Sequence, residues 1–182
     1  MMRAVLLAIL ILSMAQPVRA EDPNDKLEVL RALLTQRLVI MTQVAMFKWN
    51  AGLPVDDAAR EANVIRATVA RARAEGLNAS FARRVVAAQI EAAKIVQQDL
   101  FQQWRAAGIE KIEDAPDLAT NLRPRIGQLT GELIAALAIV RGNLDSCEAK
   151  TILRPVPHEL ANRPQAWDVA IDGMLGANAS CH

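Results

Sequence analysis

The sequence predicts an all-α fold on three observations. Apolar residues fill 52% of 182 positions, yet aromatics fill only 3%, with three Trp, three Phe and no Tyr, so strand formers are thin. Ala, Leu, Arg, Glu and Gln, all good helix formers, recur along the whole chain. In every long segment the apolar residues return at three- and four-residue spacing, the helical period. The length suits one domain with a sizeable core.

Residues 1–20 stand apart. Arg3 precedes an apolar run from Val5 to Met14, and Pro17-Val18-Arg19-Ala20 ends with Val at −3 and Ala at −1. That pattern reads as a secretory signal cleaved after Ala20, too short to span a bilayer. The mature domain is then 21–182, periplasmic or secreted, with no later segment expected to cross a membrane. Losing Arg3 and Arg19 takes the 21 cationic residues to 19 against 20 acidic ones, a net charge near −1. Nucleic acid and anionic membrane surfaces are poor partners for that balance.

The helices follow in order. Asp25 can cap the first, whose Leu27, Leu30, Leu34, Leu38, Val44 and Phe47 share a face until Gly52 and Pro54 stop it near residue 51. A second spans about 56–75, opened by Asp56 or Asp57 and closed by Gly76. The third spans about 79–107, with Phe81, Val85, Val86, Ile90, Ile95, Leu100 and Trp104 as its stripe and Gly108 at its end. An acidic loop at 108–117, broken by Pro116, leads to a fourth helix over about 121–142, where Pro124 is tolerable only in the first turn. A short element at Cys147 and a Pro155/Pro157 break precede a last helix over about 159–175.

Cys147 and Cys181 lie 34 positions apart, and in an oxidising compartment such a pair normally forms one disulfide. Only His158 and His182 are available for imidazole chemistry, so a metal site or a His-dependent nucleophile has little to build from, and no cofactor is expected.

The chemistry-bearing pattern is cationic. Arg37 and Lys48 are eleven residues apart on the first helix. Eleven steps of 100° bring both to one face, about 16 Å apart along the axis. Phe47 and Trp49 flank Lys48, which suits a buried stem with its charged head aimed into a cavity. Arg60 follows Asp57 by three residues and adjoins Glu61. Gln89, Ala93 and Gln97 form a four-residue-spaced strip on the third helix.

These residues resemble the all-helical chorismate mutases, in particular their secreted subclass. The matching strings are Gln36-Arg37-Leu38, Phe47-Lys48-Trp49, Leu53-Pro54-Val55-Asp56-Asp57, Arg60-Glu61, Gln89-Ile90-Glu91-Ala92 with Gln97, Asp117-Leu118 and Leu122-Arg123-Pro124-Arg125. They cover about 27–126, and a tail over 147–182 with one disulfide is also similar to that subclass. The resemblance implies rearrangement of chorismate to prephenate, a pericyclic step without a nucleophile. It implies Arg37 and Arg123 as carboxylate clamps, and Lys48 and Gln97 as donors to the ether oxygen. Arg60 would line the pocket, and Glu61, supported by Asp57, would anchor the ring hydroxyl. Ala93 departs from the Ser or Thr frequent there, and Arg125 competes with Arg123 for the fourth cation. Each chain, in a possible homodimer, would hold a complete site. Two other readings stay open: an exported helical module that binds a dicarboxylate without turnover, and a helical structural protein whose cations are merely solvated.

Overall fold

In the computed structural model, which describes residues 23–176, every regular element is helical. The expected signal at 1–20 and Cys181 lie outside the described residues. The first helix runs as α1 (Pro23–Val39) and α2 (Met41–Asn50), divided by a single turn residue at Ile40. The carbonyl of Ile40 accepts from both Gln43 N (3.1 Å) and Val44 N (3.2 Å), so the expected 25–51 segment tightens there but does not end. Adjacent β-branched Val39 and Ile40 crowd the preceding turn, which favours a break at that point.

By length and hydropathy this α1–α2 rod does qualify as a span, contrary to the expectation that no later segment would. In the fold, however, its Leu27, Leu30, Leu34 and Leu38 are buried in the protein core, and buried Arg37 lies on the same rod.

Helix α3 (Ala58–Ala74) starts where Asp57 accepts from Arg60 N, and α4 (Ala79–Ala106) starts where Asn78 accepts from Ser80 N and Phe81 N. Asp25, expected as the cap of the first helix, lies inside the first turn of α1, because the helix already starts at Pro23. Two later helices start later than expected. The fourth helix begins at Arg123 as α5 (Arg123–Val140), because residues 118–122 form a π turn. Leu122 N reaches back five residues to Asp117 O at 3.1 Å, and Arg123 N to Leu118 O. Pro124, which has no N–H to give, falls in the first turn of α5, where none is needed. The last helix begins at Pro164, not 159, as α7 (Pro164–Leu175); a separate 3₁₀ turn covers His158–Leu160. Between them, α6 (Cys147–Leu153) is capped by Ser146.

The core has two connected parts. One gathers α1, α4, α5, α6 and α7 around fully buried Trp167, whose Nε1 donates to Leu153 O at 3.0 Å. The other joins α2, α4, the π turn and the start of α5 through Val44, Val96, Leu118, Leu122 and Leu129. Burial of these side chains is the main stabilising term. The second part forms the floor beneath a cavity that α1–α2, α3, α4 and α5 enclose.

Candidate active site

That cavity, about 380 Å³, is lined by all seven residues singled out as substrate-binding: Arg37, Lys48, Asp57, Arg60, Glu61, Gln97 and Arg123. Ala93 lines it too, whereas Arg125 is not among the lining residues.

Each side chain is held by its local element. Arg37 ends α1 and is 4% exposed. Its Nη1 donates to Gln89 O at 3.2 Å and its Nε reaches Thr130 Oγ1 at 3.5 Å. Nη2 has no partner among the described residues and is the atom left for a ligand. Burial pushes its pKa down to about 10, still far above neutrality. Lys48 ends α2, where a cation also suits the helix dipole. Phe47 and Trp49 are partly buried, and Trp49 packs edge-on to Phe101 (5.2 Å) and Trp104 (5.7 Å).

Lys48 Nζ donates to Val55 O at 2.7 Å, leaving two ammonium hydrogens for a ligand. Burial lowers its pKa from the ordinary value; Asp57, Glu61 and Asp56 oppose that shift, and Arg123 adds to it.

Asp57 and Glu61 both bond backbone N–H groups at the start of α3. Asp57 Oδ1 accepts from Arg60 N at 3.0 Å, and Glu61 Oε1 accepts from Asp57 N at 3.2 Å. The exposed Arg60 side chain has no hydrogen bond or ion pair among the described residues. Gln97 is 4% exposed; its Nε2 donates to Ala93 O at 2.9 Å, while its Oε1 is buried without a partner. One amide hydrogen therefore remains for a bound molecule. Arg123 is the first residue of α5, delivered by the π turn that Asp117 caps through Thr120 N and Oγ1, both at 2.7 Å. Gln89, on the same strip as Gln97, faces elsewhere: its Nε2 donates to Ala170 O of α7 at 3.2 Å.

Four polar lining residues were not among the sequence candidates: Thr68, Arg71, Lys94 and Thr130. Lys94 bridges three carboxylates, Glu91 at 2.8 Å, Asp56 at 3.3 Å and Glu61 at 3.6 Å, and those contacts, Glu91 first, raise its pKa. The network ties α4 to the loop bearing Val55. Arg71 had a legible signal, since it follows Arg60 by eleven residues, the same one-face spacing that joins Arg37 to Lys48.

The geometry offers cations and neutral donors on a partly apolar wall, suited to holding an organic anion with more than one carboxylate. Comparison with known proteins agrees. Residues 28–98 match the chorismate mutase type II family. The chain is 26% identical over 128 residues to a secreted chorismate mutase of Mycobacterium tuberculosis, covering 70% of this chain and 64% of that protein. It is 32% identical over 108 residues to a secreted chorismate mutase of Yersinia pestis, covering 58% and 56%. The matches thus span less than two thirds of those two curated relatives. A crystal structure of chorismate mutase from Burkholderia thailandensis superposes with a TM-score of 0.70 at 35% identity, over 82% of this chain and 98% of that one. With a matched family segment inside the cavity-forming helices and a relative matched over nearly its whole length, the chain belongs to the chorismate mutase type II family.

Proposed function

We propose that this chain rearranges chorismate to prephenate outside the cytoplasm, as a domain of residues 21–182. The observation that carries the reading is the convergence of Arg37, Lys48, Arg60, Gln97 and Arg123, one from each of the helices α1 to α5 of one chain, on a single cavity. The substrate is a dicarboxylate, and its rearrangement breaks one C–O bond while forming one C–C bond in a single cyclic step. The enzyme's work is to hold the folded conformer and to stabilise charge that grows on the ether oxygen.

In this reading Arg37 and Arg123 clamp the two carboxylates, since a guanidinium matches a carboxylate bidentately. Lys48 and the Gln97 amide donate to the ether oxygen, with Lys48 also near a carboxylate. Glu61, fixed by Asp57 N and by Lys94, receives the ring hydroxyl, and Arg60 lines the mouth and orients its acidic neighbours. Every one of these groups comes from the same chain, which supports a complete site per protomer, in a monomer or a homodimer. Export with cleavage after Ala20, and a Cys147–Cys181 disulfide stapling the tail, complete the proposal. The secreted character of the named relatives supports it.

The test is direct. Adding the mature protein to chorismate should remove the chorismate absorbance band at a rate proportional to protein, with prephenate as product. A band that persists at high protein concentration overturns the reading in favour of binding without turnover.

A further inference from the structure

The cavity has two ends. At one, Lys48 lies near Asp57 and Glu61 at the start of α3, and Arg123 opens α5. The two helices then run toward the other end, where Arg37 meets Thr130, seven residues or about 10 Å further along α5. Arg71 lies at that same far end. A Cβ built on Gly131 would stand 2.5 Å from Arg71 Cζ, so the guanidinium rests directly on the α5 backbone next to Thr130. Only a glycine leaves room for it there.

Two further observations give this end polar capacity without internal partners. The exposed Arg71 side chain makes no hydrogen bond or ion pair among the described residues, and it lines the cavity. Thr68, one turn earlier on α3 and only 7% exposed, also lines the cavity, and its hydroxyl has no partner among the described residues either. That hydroxyl is therefore available to a group bound in the cavity. Ala93 of α4 lines the cavity with only a methyl group, so α4 adds no side-chain hydroxyl at that position.

Resting on the rearrangement reading above, we propose that Arg71 and the Thr68 hydroxyl form a second clamp for the substrate carboxylate that Arg37 holds. Arg37 approaches that carboxylate from α1 with its Nη2, and Arg71 approaches from α3 across Gly131. The substrate is thus gripped by two guanidinia at this end and by Lys48 and Arg123 at the other. Arg71 acts at a carboxylate and not at the ether oxygen where charge grows, so it contributes mostly binding common to ground state and transition state.

The experiment compares wild type, Arg71→Ala, Arg71→Lys and Gly131→Ala by steady-state turnover of chorismate and by calorimetric binding of prephenate. Loss of one charge-assisted contact predicts a KM rise of about tenfold in Arg71→Ala with kcat changed by less than about threefold. Prephenate affinity should weaken in parallel, and Arg71→Lys should recover part of both. Gly131→Ala keeps the charge but pushes the guanidinium aside, and should raise KM with a fully folded helix. Wild-type KM and prephenate affinity in both Arg71→Ala and Gly131→Ala overturn the inference alone. Absence of turnover by the wild type in the same assay overturns the rearrangement reading, and this inference with it.

Discussion

Lys48 carries the sharpest expectation at the scale of single residues. It is half-buried, held by Val55 O, and it lines the cavity; in the proposed reading its ammonium donates to the ether oxygen. Replacement by Ala should lower kcat by a factor of about 10²–10³ with the fold intact, measured by chorismate turnover and circular dichroism. Arg37→Ala should lose binding as well as rate, because Arg37 is both buried and bonded to the α4 backbone. The pH dependence follows from the same two donors. A Gln97 amide donates at any ordinary pH, so kcat/KM should be nearly flat from about pH 5 to pH 8. Above that range activity should fall as pH rises through the Lys48 pKa, which burial holds below its ordinary 10.5, because deprotonation removes the donor's charge. Gln97→Glu should convert the profile to an acid-favouring one, since a carboxylate donates only when protonated. A native profile that falls steeply between pH 5 and 8, or a mutant profile identical to the native one, would place Gln97 away from the reacting oxygen.

Between elements, two glycines make opposite predictions for the same substitution. Gly173 of α7 meets the Cβ of Ala88 on α4, two rigid groups at a close helix crossing. Gly173→Ala should therefore destabilise the protein by about 1–3 kcal/mol in denaturant unfolding. Gly131 meets only the mobile end of Arg71, so Gly131→Ala should be neutral or stabilising by up to about 1 kcal/mol, from helix propensity. The π turn before α5 is an element with its own pH sensitivity. The N–H and hydroxyl of Thr120 hold the Asp117 pKa below its usual value. The cap is complete above that usual value and is lost as pH falls through the lowered one, so strong acid should release the start of α5 and Arg123 with it.

For the whole molecule, the tail is the stabilising lever. Trp167 is fully buried between α6 and its own helix, with Nε1 bonded to Leu153 O, and Trp167→Ala should cost about 3–5 kcal/mol. The tail also reaches the long helix through Arg163–Asp99 at 2.7 Å. If Cys147 and Cys181 are joined after export, thiol titration of the exported protein without reductant should find no reactive thiol. Two reactive thiols would overturn the pairing.

Local rules were enough for much of this. Helical periodicity, with Asp56 or Asp57 opening the second helix and Gly76 and Gly108 ending the second and third, located the long helices, because those signals lie within one or two turns of chain. One-face spacing linked Arg37 to Lys48, and ordered motifs picked out Asp57, Arg60, Glu61, Gln97 and Arg123, all of which line one cavity. The division at Ile40, the π turn before Pro124 and the late start of α7 escaped, since each reflects competition between adjacent turns that periodicity averages over. Gln89 and Gln97 share a strip in sequence, yet one bonds α7 and the other faces the cavity; only the packing partners of α4 could separate them. The same holds for Arg71, whose spacing from Arg60 was readable but whose seat on Gly131 exists only because α3 lies against α5. Residue type and spacing along a helix are determined by the sequence itself, whereas which neighbour each face meets depends on contacts between segments far apart in the chain.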